Sequence, residues 1–92
     1  MQFEWDASKE TENLAKHGVD FSRVGISWSD PHRLIFRYPG MGRDELRWQF
    51  VGHDGHGVLT VRFTIRSGII RVIGAGYWRK QRKIYESKKK NS

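Results

Sequence analysis

From Val58 to Arg66 apolar and polar residues alternate, with Leu59, Val61, Phe63 and Ile65 on one side and Thr60, Arg62, Thr64 and Arg66 on the other. That is the period of a half-buried β-strand. Ser67-Gly68 supplies a turn and the strand pattern resumes at Ile69, so the two runs predict a hairpin. A two-residue loop sets its register, with Arg66 opposite Ile69, Thr64 opposite Arg71 and Arg62 opposite Ile73. Arg62, Arg66 and Arg71 then share one face, and Val61, Phe63, Ile65, Ile70 and Val72 form the core side. Glu45 to Gly52 alternates too, with Leu46, Trp48 and Phe50 against Arg47, Gln49 and Val51. His53-Asp54-Gly55-His56-Gly57 turns that strand into the next. Packing Trp48 and Phe50 on the same core adds Arg47 to the arginine face.

Helical spacing governs the flanks. Gln2 to Trp5 reads as a short strand, and Asp6 caps a helix over Ala7 to Lys16 whose buried stripe is Ala7, Leu14 and Ala15. Lys16 and His17 suit the negative end of its dipole, and Gly18 its left-handed stop. Asp20 caps a shorter helix, Phe21 to Trp28, which Ser29-Asp30-Pro31 ends; Arg33 to Tyr38 is a strand, and Pro39-Gly40-Met41-Gly42 a flexible loop. After Ala75-Gly76 a closing helix turns Tyr77, Trp78, Gln81, Ile84 and Tyr85 onto the sheet and Arg79, Lys80, Arg82 and Lys83 outward. Those outer cations are either a solvated surface or an extension of the arginine face. Lys88 to Ser92 lacks an apolar anchor and is expected to be a disordered tail beyond one domain spanning residues 1–87. The fold class is α+β, a small antiparallel sheet with helices packed on one face.

Charge sharpens this reading. Seventeen Lys and Arg against ten Asp and Glu give a net +7 over 92 residues, with a pI of about 10.2. Clustered arginines on a sheet repel one another until a polyanion arrives, which points to nucleic acid. No apolar run approaches the ~20 residues that span a bilayer, so no membrane partner is expected. The absence of cysteine removes disulfides and thiolate metal sites, and the cytoplasm is the expected location. His53, His56 and Asp54 share a turn but offer a metal at most three ligands on a loop, so the turn is read as structural and no cofactor is expected. His53 and His17 are the histidines at element ends, and an imidazole with an unperturbed pKa of ~6.5 suits acid–base work.

The whole pattern resembles one family. Phe3-Glu4-Trp5-Asp6, Lys9, Asn13, Lys16-His17-Gly18-Val19, Phe21, Asp30-Pro31, Arg47, Gly52, Thr64-Ile65-Arg66, Arg71-Val72-Ile73 and a basic helix ending Tyr85-Glu86 are similar to the BrnT family of bacterial toxins. The resemblance implies a RelE-like endoribonuclease, neutralised by a BrnA-type antitoxin whose ribbon-helix-helix segment carries the pair to operator DNA. It implies attack of a ribose 2′-hydroxyl on the adjacent phosphate, with no metal. Arg66 and Arg71 are then the phosphate-stabilising residues, Arg79 and Arg82 assist, and Arg47, Arg62, Lys83 and Tyr85 bind RNA. His53, His17, Glu45 and Tyr85 are the candidates for the base, with His53 preferred. The chain departs from the family at Ile65, where a Glu is usual, at Gly74-Ala75-Gly76 in place of Ser-Ala-Arg, and at Gln81 in place of Glu. Those departures support an alternative, a non-enzymatic toxin homologue that binds RNA and antitoxin or acts as a co-repressor.

Overall fold

The computed structural model describes residues 1–38 and 46–90. The loop expected at Pro39-Gly40-Met41-Gly42, the base candidate Glu45, and Asn91 and Ser92 lie outside them. Five strands, β1 Phe3–Glu4, β2 Leu34–Tyr38, β3 Arg47–His53, β4 Val58–Arg66 and β5 Ile69–Gly76, form one sheet in the order β1-β5-β4-β3-β2. All neighbours are antiparallel except β1, which runs parallel to β5. Helices α1 Ala7–His17, α2 Val24–Trp28 and α3 Arg79–Lys90 complete the α+β fold, with a 3-10 turn at Phe21–Arg23 leading into α2.

The hairpin register follows the expected pairing at Arg66↔Ile69 and Thr64↔Arg71. Ser67 and Gly68 both take positive φ, 52° and 75°, which gives the two-residue turn the twist its strands require. Past Phe63 the ladder shifts, so that Arg62 faces Gly74 and Ile73 is the extra residue of a bulge. On one face Phe50, Leu59, Val61, Phe63, Ile70, Val72 and Ala75 are buried under Val19, Phe21 and Val24. Aromatic rings meet there edge to face, Trp28 on Phe50 at 5.1 Å and Trp5 on Phe21 at 5.6 Å. Ile65, expected in this core, is 50% exposed, because the short cover formed by the 3-10 turn and α2 does not reach the hairpin tip.

The opposite face is covered over one half only. Tyr85 of α3 packs with Val51 and Val58, flanked by Leu34 and Phe36. The expectation of helices on a single face is therefore corrected: α2 lies on one side and α3 on the other. α3 continues through Lys90, so Lys88–Lys90 are helical, where positive charge suits the helix C-terminus. α1 is held by polar contacts rather than by its apolar stripe, since Leu14 is 49% exposed. The buried Asn13 amide donates to Val19 and Ala75 carbonyls at 2.9 and 2.8 Å and accepts from the Ala75 N–H at 3.0 Å, extending the β5 edge as a strand would. Ser27 of α2 donates to the Gly52 carbonyl at 2.8 Å. A Cβ on Gly52 would lie 2.3 Å from the Ser27 carbonyl, so only glycine permits this approach.

A cationic groove on the open face of the sheet

The half that α3 leaves open carries the arginines. Arg47 lies opposite Thr64, and Thr64 opposite Arg71, so side chains from β3, β4 and β5 point the same way with Arg66 beside them. They line an open cleft of about 200 Å³ together with Asp6 and Lys9. A second hollow of about 140 Å³ is lined by Lys9, Lys16, His17, Arg62 and Trp78. Lys9 and Ile73 border both, which makes them one groove walled by α1 and running along β4 and β5.

Charges in the groove are arranged in pairs and stacks. Asp6 stands at the N-cap of α1 without making a side-chain cap bond. Its carboxylate instead takes Arg71 at 2.9 Å, and Glu4 takes the same guanidinium at 3.4 Å. Two carboxylates on one guanidinium fix where its fork points. The Arg62 guanidinium lies 4.5 Å from the centre of the Trp78 ring, and His17 meets that ring edge-on at 5.3 Å. Trp78 itself rests on Gly76, where a Cβ would come within 2.7 Å of the indole.

Several expected site residues lie elsewhere. His53 ends β3 six residues beyond Arg47, roughly 20 Å along the strand. Its N–H donates to Asp30 at 2.7 Å and its Nδ1 accepts from the Gly55 N–H at 3.0 Å, both bonds of a turn. Tyr85, expected to touch RNA, is only 3% exposed and donates its hydroxyl to Asp30. Burial, and then this bond to Asp30, push the Tyr85 phenol up to about 12. Burial raises the Asp30 carboxyl, but donors Tyr85 and the backbone of His53 and His32 outweigh it, so the net direction is downward. Lys83 is exposed on α3. Arg79 and Arg82, expected to assist Arg66 and Arg71, line a separate cleft of about 310 Å³ with His56, Val58, Tyr77 and Trp78. Val58 is eight residues from Arg66 on β4, roughly 25 Å away, beyond the reach of two arginine side chains to one phosphate.

Lys9, Lys16 and Trp78 were not foreseen as groove residues. Lys9, Asn13 and Lys16 recur at i, i+4 and i+7, the spacing of one helix face, and that pattern carried the signal. The turn bearing His53 and His56 is structural: Asp54, 2% exposed, accepts from the N–H groups of His56 and Gly57 at 2.8 and 3.0 Å and from the Tyr77 hydroxyl. Among the described residues no three His, Asp or Glu side chains converge as a metal site, and no helix is long and apolar enough to cross a membrane.

An open face that gathers arginine from three strands concentrates positive charge in planar forks, the chemistry that suits a polyanion. No curated protein matches the sequence. Residues 5–82 do match the family model described as the ribonuclease toxin BrnT of type II toxin–antitoxin systems, and with most of the chain in that span, the protein belongs to the BrnT toxin family.

Proposed function

We propose that this toxin is a metal-independent endoribonuclease that cleaves RNA in the groove between α1 and β4–β5. His17 takes the proton of a ribose 2′-hydroxyl, the freed oxygen attacks the adjacent phosphorus, and the bond to the 5′-oxygen breaks. Lys9, which borders both halves of the groove, returns a proton to the leaving oxygen. Arg62, which shares the Trp78 ring with His17, stabilises the charge that builds on the phosphorane, because a guanidinium fork matches two phosphoryl oxygens at once. Arg47, Arg66 and Arg71 hold the flanking backbone. The observation that carries this reading is the contiguity of Arg62 and His17 with the Arg47, Arg66 and Arg71 cluster along one groove. His17 replaces His53 as the base because His53 is at the other end of β3, and it replaces Tyr85 because that phenol already donates to Asp30. The partner that silences the toxin is a BrnA-like ribbon-helix-helix antitoxin. Operator DNA is met only through it, and the toxin acts in the cytoplasm.

The test is cleavage of bulk RNA by purified toxin. His17→Gln lowers the rate by about 10²–10⁴-fold, the worth of one positioned acid–base group. Because His17 is exposed, its melting temperature stays at the wild-type value. Arg71→Ala loses cleavage as well. A folded His17→Gln protein with the wild-type rate would remove His17 from the mechanism.

A further inference from the structure

The cleft holding Arg79 and Arg82 has its own construction. Tyr77 is 44% exposed, yet it is fixed at both ends of its side chain. Its hydroxyl donates to the buried Asp54 carboxylate, which two backbone N–H groups of the turn also hold. One side of its ring lies against Gly57, where a Cβ would sit 3.3 Å and 3.5 Å from two ring carbons. The remainder of the ring faces solvent as a rigid plate. Arg79 and Arg82, three residues apart on α3, flank the same space. In contrast to Arg71, neither forms an ion pair with a carboxylate among the described residues. Trp78 borders this cleft and the main groove alike, so the two are neighbours along the path of one strand.

We infer that this cleft is a second nucleotide subsite, in which Tyr77 stacks one base of the RNA and Arg79 and Arg82 hold the adjoining phosphates. An aromatic plate beside unpaired arginines is how single-stranded nucleic acid is gripped without regard to sequence, since every base has a face to stack. The subsite lies roughly 25 Å along β4 from Arg66. It therefore takes a nucleotide several steps removed from the one held at Arg66 and sets a minimum length for tight binding. This inference rests on the reading of the protein as an RNA-cleaving toxin. An acidic segment of the antitoxin is the rival occupant.

Binding of 2′-O-methyl RNA, which lacks the attacking hydroxyl, tests it by fluorescence anisotropy on the full chain. A decanucleotide reaches both sites, whereas a dinucleotide reaches only the main groove. Tyr77→Ala weakens the decanucleotide by roughly 5- to 150-fold, the range of one stacked base, and leaves the dinucleotide unchanged. Tyr77→Phe keeps the ring and retains most of the affinity. Arg79→Ala and Arg82→Ala, on exposed positions that the fold does not need, each reduce the log–log salt slope by about 0.7. Arg66→Ala in the same assay weakens both oligonucleotides; if it weakens neither, the main-groove reading fails by itself. Wild-type decanucleotide affinity in Arg79→Ala and Arg82→Ala, with Arg66→Ala impaired, overturns the second subsite. Loss of antitoxin affinity in those variants, with RNA binding intact, overturns it in favour of the protein partner.

Discussion

Ile65 illustrates how one residue changes meaning once its surroundings are known. Alternation assigns it to the core side, and its pairing with Ile70 agrees, but it stands at the hairpin tip with half of its surface in water. A charge there meets solvent rather than apolar packing, so Ile65→Glu is expected to alter stability by no more than about 0.5 kcal/mol. The side chain also projects from the face opposite Arg66 and Arg71. A glutamate at that position is expected to leave RNA cleavage unchanged. A thermal melt beside a cleavage assay checks both, and a rise in cleavage would mean that the carboxylate reaches the arginines around the sheet edge.

At the scale of elements, the contact of α2 with β3 is the least forgiving. Gly52→Ala drives a methyl group into the Ser27 carbonyl, which is backbone and cannot rotate away. The helix must lift from the sheet, and overpacking of this kind costs about 1–3 kcal/mol. A lower midpoint in urea is the expected result. Cleavage per folded molecule should persist, because α2 lies on the face opposite the groove. The β4–β5 hairpin was the most legible element in the sequence, since a two-residue turn and strict alternation leave one register. The bulge at Ile73 was not, because an extra residue in a ladder has no composition of its own. The end of β3 that carries His53 was in principle legible: antiparallel pairing with β4 sends it away from Arg66. The position of Arg79 and Arg82 was not, because the angle at which α3 crosses the sheet follows from where Tyr85 finds its pocket on Val51 and Val58. Periodicity shows that α3 has an apolar side but not which half of the sheet that side covers.

For the whole molecule, two tyrosine–carboxylate pairs, Tyr85 on Asp30 and Tyr77 on Asp54, tie α3 and its approach to the rest of the fold. Burial and the partner carboxylates raise both phenols to about 12. A group whose folded pKa lies above its unfolded value of ~10 gives stability that is complete below pH ~10 and lost as pH rises toward 12. For Asp30 and Asp54, burial works upward but the hydrogen bonds prevail, and the net direction is downward. Their stability is present above the ordinary carboxylate range and is lost as pH falls through and below ~4. The protein is thus expected to hold a plateau between those limits. In melts stepped from pH 9 to 12, Tyr85→Phe should flatten the alkaline decline relative to wild type. An identical decline in the variant would assign it to other groups.

The parallel pairing of β1 with β5 also orders events in time. Phe3 pairs with Ile70, and the Glu4 and Asp6 carboxylates beside it hold Arg71. Synthesis at 5–20 residues per second separates those partners by roughly 3–13 s. During that interval β1 has no strand to join, Asn13 has no Ala75 backbone to cap, and the arginines of β4 and β5 have not met. The groove forms in one late step, after β5 has left the ribosome. Up to that point the nascent chain carries its cations scattered along the sequence, with no groove to gather them.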